Sequence, residues 1–386
     1  MTAPDPACRW LPPRAPASLR TALARAGTPA IPLVRRGAHH GYLVPAAEGP
    51  LPAADVLARW RSDRPVLLRG VLRARIRPYR QALGETLRLF ARLRRGARFF
   101  DWVIGRLAGQ GVYQSVGSSI DLGDPREVEK AFARARGARR GDGDLWAKLA
   151  WIAHDPRDPS LRIRFSWGVE ALQEWHRDPR QARRADGLAA ALFPECAVLG
   201  GHRLLFDLLR HLTGGPVRLS ERIVYNNVPG GGAVFHHDAE ATQLGVCFGQ
   251  LAGETAWLAL PRRELAEVVA EVAHGRATLR RFLGTPARAF AALKDTREPR
   301  LDRLLNRDPV LTRRLVERGA AFRMRAGDAV LLPSHSREDV AWHSVFGIGR
   351  SPSLAHSYGI FAAAPSRHGR RSRANPRAPG THPRPP

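Results

Sequence analysis

Three side chains have the types and spacing to hold one metal ion. The segment YNNVPGGGAVFHHDAE carries His236 and Asp238 with one residue between them. On a strand, residues two apart point to the same side, so this imidazole and carboxylate converge on one point. A second histidine completes two imidazoles and one carboxylate on a single face of an octahedral Fe(II). Three positions then stay open for a bidentate 2-oxo acid and O2. The distal histidine must come from another strand, and RAGDAVLLPSHSREDVAWHSV offers two. His343 opens a β-rich run behind Trp342, whereas His335 sits among Ser334, Ser336 and Arg337 in a polar loop, so His343 is the favoured ligand. His237 points away from His236 if the strand is regular, and Glu240 lies past the strand's end. Cys247 reads as a small apolar residue of a barrel wall.

The elements that must position these residues follow from the pattern around them. Val217–Val228, Val234–His236, Leu244–Phe248 and Thr255–Leu260 are short β-rich runs separated by glycine, as in an antiparallel barrel. Strand signals return at Ala321–Met324, Ala329–Leu332, His343–Phe346 and Leu354–Phe361. Between the two sets lies a helical insert, 263–318. The expected organisation is a mixed N-terminal segment (1–80, with PVLLRGVL as a strand), a helical region (81–215) and a barrel (216–365). Helices are expected over Tyr79–Gly109, Arg126–Arg136, Asp144–His154 and residues 187–214. The tail, 366–386, has six arginines and no apolar periodicity, and is expected to be disordered.

The formal charge is +27, from 62 basic and 35 acidic residues, and only Lys130, Lys148 and Lys294 of the basic ones are lysines. So positive a field attracts polyanions and acidic substrates, including nucleic acid without base specificity. No zinc-finger, RNA-recognition or helix-turn-helix signature is present to read bases. Cys8, Cys196 and Cys247 are odd in number and form no CxxC pair, which argues against a disulfide framework and fits a reducing cytoplasm. The N-terminus lacks the order of a signal peptide, and no apolar run has the length of a membrane span.

Residues 217–361 resemble the JmjC/cupin branch of the Fe(II)/2-oxoglutarate dioxygenases. The matching pieces are His236-x-Asp238, Gly253-x-Thr255-x-Trp257 with Pro261, the Gly327–Pro333 run, Trp342-His343-x-Val and the closing strand SLAHSYGIF. The resemblance implies an α+β chain with a double-stranded β-helix, Fe(II) on His236, Asp238 and His343, and decarboxylation of 2-oxoglutarate with hydroxylation or demethylation of a second substrate. It also implies that Tyr225 and Asn227, which share a strand face, look into the pocket. Where the family often has a lysine for the distal carboxylate of 2-oxoglutarate, this chain has Thr255. Arg350 is the nearest candidate cation, because guanidinium binds carboxylate bidentately. The long separation of Asp238 and His343 is taken up by the insert, which could cap the site. A cupin that holds metal without 2-oxoglutarate chemistry, and a basic nucleic-acid- or ribosome-binding protein, are the competing classes.

Overall fold

Alternating β-rich runs and helical stretches set the course of the backbone. The computed structural model describes residues 8–35, 37–46, 51–94, 102–103, 105–106, 112–113, 118–119, 129–135, 144–151, 158, 160–167, 178–240, 242–294, 298–336 and 338–363. Near the N-terminus, β1 (Cys8–Leu11), β2 (Ile31–Arg35) and β3 (Ala38–Pro45) pair in the order β1-β3-β2. After them come β4 (Val66–Leu68), β5 (Val112–Tyr113), β6 (Ser118–Ser119), β7 (Glu129–Ala135), β8 (Leu145–Trp151) and β9 (Leu161–Trp167). The C-terminal part supplies β10 (Val217–Asn227), β11 (Gly232–His236), β12 (Gln243–Ala252), β13 (Glu254–Pro261), β14 (Ala321–Arg325), β15 (Ala329–Pro333), β16 (Ala341–Ile348) and β17 (Ser353–Ala362).

Two antiparallel sheets build the body around the site. The larger runs β4-β15-β12-β17-β10-β9-β8-β7-β5, with β6 on β7, and the smaller runs β11-β16-β13-β14. From β10 to β13, and again from β14 to β17, consecutive strands switch between the sheets, so the two inner faces are laid against each other by the chain path itself. Val246, Phe248 and Leu332 of the larger sheet meet Trp257, Met324 and Val345 of the smaller in one buried cluster. Trp257 is its centre: Phe248 meets it edge-on at 4.7 Å and Phe322 stacks on it at 5.8 Å. Aromatic rings of this size bury roughly 150–250 Å² each, which makes the interior a packed core.

The outer faces are covered by helices. Apolar residues at three and four spacing in Arg80–Leu93, Pro179–Leu192 and Arg203–Thr213 pack on Leu161, Ile163 and Tyr358 of the larger sheet. The smaller sheet is covered by the insert, with helices Arg262–His274, Ala277–Leu283, Pro286–Ala292, Pro299–Arg307 and Pro309–Glu317. Its helix starts are written in the sequence. Thr285, Glu298 and Asp308 accept backbone N–H groups as N-caps, each with proline at the first helical position. Gly214, in the left-handed conformation, closes Arg203–Thr213.

The expected helical region is only partly helical. The expected helix at 79–109 is observed as Arg80–Leu93, and 187–214 is divided into helices ending at Leu192, Gly200 and Thr213. Over Arg126–Arg136 and Asp144–His154 the described residues form β7 and β8 instead of helices. The run LWAKLAW is apolar apart from Lys148, so it satisfies either period; pairing with β9 along seven residues decides for the strand. The strand expected at 65–72 is shorter, Val66–Leu68, and the tail from 366 lies outside the described residues.

Candidate metal centre

The smaller sheet brings the two histidines together. His236 ends β11 and His343 lies near the start of β16, and the two are partners across the antiparallel ladder. Their rings are 4.2 Å apart, centre to centre. Asp238 follows in the loop after β11, two residues beyond the strand's last residue, so it reaches the site by a turn of the chain and not by the strand parity expected from sequence. Its Oδ1 is 3.4 Å from Nε2 of His236 and its Oδ2 3.5 Å from Nε2 of His343. One ligand atom from each residue lies within 4.8 Å of the others, and this is the one such group of three found among the described residues. Gly232 makes the approach of β11 to β16 feasible: its φ is +149°, and a Cβ there would stand 2.1 Å from the Val345 carbonyl.

The protonation states suit ligation. Nδ1 of His236 lies 2.7 Å from the Val234 carbonyl and donates to it, which aims Nε2 at Asp238. Burial disfavours a charged His236, but the Asp238 carboxylate outweighs it and raises the imidazole above its ordinary value. Burial also opposes ionisation of Asp238, and the neighbouring His236 overcomes that and holds the carboxyl well below the usual range. With 36% of the Asp238 side chain accessible, water screens part of this effect. His343 is pushed down to about 3, by burial first and then by the charge on His236. Two imidazole Nε2 atoms and one carboxylate, turned toward a common point, are a donor set for a borderline divalent ion, and the residues present fit Fe(II).

The competing histidines go elsewhere. His237 faces outward, its ring 5.0 Å from that of Trp342. His335 is bound at 2.6 Å to Asp63 in the loop where the sequence places it. Cys247 is fully buried on β12, and packs with the helices outside the larger sheet.

The remaining candidate residues are dispersed. Tyr225 and Asn227 share the inner face of β10, and the Tyr225 ring is 5.8 Å from Phe248. Thr255 is buried in the barrel with its hydroxyl committed: it donates to Gln250 Oε1 at 2.9 Å and accepts from Trp257 Nε1 at 3.0 Å. Arg350 stands exposed in the turn after β16, at the opposite end of that strand from His343, and the fold does not bring it to the ligands. Sequence reading missed Arg162. It lies on β9 directly across from Tyr225, hence on the same inner face, and its charge works against protonation of His236. The alternation of LRIRFSW was the signal for that strand.

No family model and no curated protein matches the chain. Among solved structures it is similar to YcfD, a ribosomal oxygenase from Escherichia coli, at 16% identity and a TM-score of 0.28, over 86% of this chain and 61% of that one. This chain therefore spans less than two thirds of the YcfD chain. It is also similar to an oxidoreductase of the 2OG-Fe(II) oxygenase family from Burkholderia pseudomallei, at 9% identity and a TM-score of 0.30, over 82% of this chain and 93% of that one.

Proposed function

We propose that the chain is an Fe(II)- and 2-oxoglutarate-dependent oxygenase on a double-stranded β-helix, a hydroxylase of an anionic or macromolecular substrate. The observation that carries this reading is the convergence of His236, Asp238 and His343 on one point from two paired strands and one loop. The switching of consecutive strands between two facing antiparallel sheets supports the barrel. Bound there with 2-oxoglutarate and O2, Fe(II) supplies oxidative decarboxylation coupled to oxygen transfer. The chain's part is to hold the ion with three ligands on one face, keep His343 neutral and Asp238 ionised, and exclude water with Phe248 and Trp257. Positive charge from Arg162 beside the site, and from the chain as a whole, favours an anionic ligand.

A second reading, a metal-binding cupin without 2-oxoglutarate chemistry, is favoured by Thr255 and Arg350, neither of which offers a free group at the ligands. Succinate formation separates the two. Fe(II)-loaded protein should convert 2-oxoglutarate to succinate, and H236A and D238A should fall to background while keeping the wild-type circular dichroism. Full turnover by H236A would overturn the ligand assignment; metal binding with no succinate would select the cupin.

A further inference from the structure

His236 faces inward because β11 contains one residue too many. Ala233 pairs with Val345 and His236 with His343, so three steps on β11 match two on β16. Ala233 sits opposite the inward-facing Val345; regular alternation from there would turn Phe235 in and His236 out. The extra residue reverses this, sending Phe235 into the outer core beneath the insert and His236 into the barrel.

A bulge leaves backbone groups without ladder partners, and buried ones must be satisfied elsewhere. Three of these groups have identifiable side-chain partners. The Ala233 carbonyl accepts from Ser344 Oγ at 2.8 Å, the Val234 carbonyl accepts from His236 Nδ1, and the Phe235 N–H donates to Asn306 Oδ1 at 2.9 Å. Asn306 belongs to the insert helix Pro299–Arg307 and is 1% exposed. Its Nδ2 donates to Asp302 Oδ1 at 3.0 Å, which keeps Oδ1 turned to the bulge. Arg35, buried on β2, joins the two sides. It donates to Ser344 Oγ at 2.9 Å, approaches Asn306 Oδ1 at 3.5 Å, and lies over the rings of Phe235 and Phe346.

We propose that Asn306 is a positioning residue for the metal centre: by capping the Phe235 amide it holds the β11 bulge, and through the bulge the inward aim of His236. The inference rests on the reading of the triad as a metal site. It gives the insert a role beyond covering the smaller sheet, since a helix outside the barrel then sets the geometry of a ligand inside it.

The test is Co(II) affinity, measured calorimetrically in wild type, N306A and D302N. Removing outer partners of metal ligands typically costs 10–100-fold in affinity; Asn306 acts one residue away from the ligand, so N306A should weaken Co(II) binding by about tenfold, and D302N, whose amide oxygen still accepts from Asn306 Nδ2 and leaves the cap in place, should stay within about threefold of wild type. Wild-type affinity in N306A, or an equal loss in D302N, overturns the inference. If N306A does not fold, hydrogen exchange of the Phe235 amide in the wild type decides: slow exchange supports the cap, and exchange at the rate of an open amide overturns it. Failure of wild-type protein to bind Co(II) would instead overturn the metal reading itself, and Phe235 protection would still report on the cap separately.

Discussion

At the scale of the residue, the site is three groups whose charges depend on one another. Asp238 is held ionised and His343 neutral, so His236, raised by Asp238, is the group whose proton competes with a metal for Nε2 as pH falls. Affinity for a divalent ion should therefore fall on acidification, starting above the ordinary imidazole value of 6.5 and steepening to roughly tenfold per pH unit below the raised His236 pKa. Co(II) titrations between about pH 5.5 and 8 would show it; an affinity flat across that range would contradict the assignment. His236, Asp238 and His343 were legible in the sequence because their types are chemically specific and their neighbours separate them from His237 and His335. The geometry that joins them was not. Period-two alternation places Asp238 on the strand, while the strand ends at His236, and an extra residue between Ala233 and His236 has no compositional mark.

At the scale of the element, the strands from β10 onward were readable from glycine-bounded β runs, and the insert from its helical periodicity and caps. In the N-terminal half the helix Arg80–Leu93 and the strand Val66–Leu68 were readable, but β7 and β8 were not. EKAFARA is rich in alanine and charge, which suits a helix, LWAKLAW is apolar apart from Lys148 and fits either period, and β9 is recognisable only by its alternating arginines. The helical layer over the larger sheet is also tied down by a buried ion pair that no motif announces. His356, on the outer face of β17, lies 3.7 Å from Glu195 and 3.3 Å from Cys196 Sγ, and Thr86 donates to Glu195 at 2.7 Å. Burial opposes a charged His356, but Cys196 and Glu195 outweigh it and raise it to about 9. A raised imidazole stabilises the fold fully below its unfolded value of 6.5 and loses that contribution as pH rises through 9. Glu195, held low, contributes above the ordinary carboxylate range and loses its contribution on acidification. Wild-type melting temperature should drop by several degrees between pH 6.5 and 9, and H356Q should lack that part of the drop. The same pH slope in both proteins would remove the charged pair from the account of stability.

At the scale of the whole molecule, charge is the dominant property. No helix among the described residues is long and apolar enough to cross a membrane, and a net charge of +27 draws polyanions to the surface. Binding to single-stranded RNA should weaken by about 10²- to 10⁴-fold between 50 and 200 mM salt if 6–10 phosphates are engaged, and removal of 366–386 should flatten that dependence. Anisotropy titrations at several salt concentrations would measure it, and no binding at low salt would count against a nucleic-acid-linked substrate. This field brings ligands near the protein, but the chemistry proposed rests on the triad. The most direct test of the triad is an anaerobic titration of 2-oxoglutarate into Fe(II)-loaded protein, followed in the visible region. The predicted result is a metal-to-ligand charge-transfer band that grows with 2-oxoglutarate in the wild type and is absent from D238A. A folded, Fe(II)-loaded wild type that shows no band would contradict it.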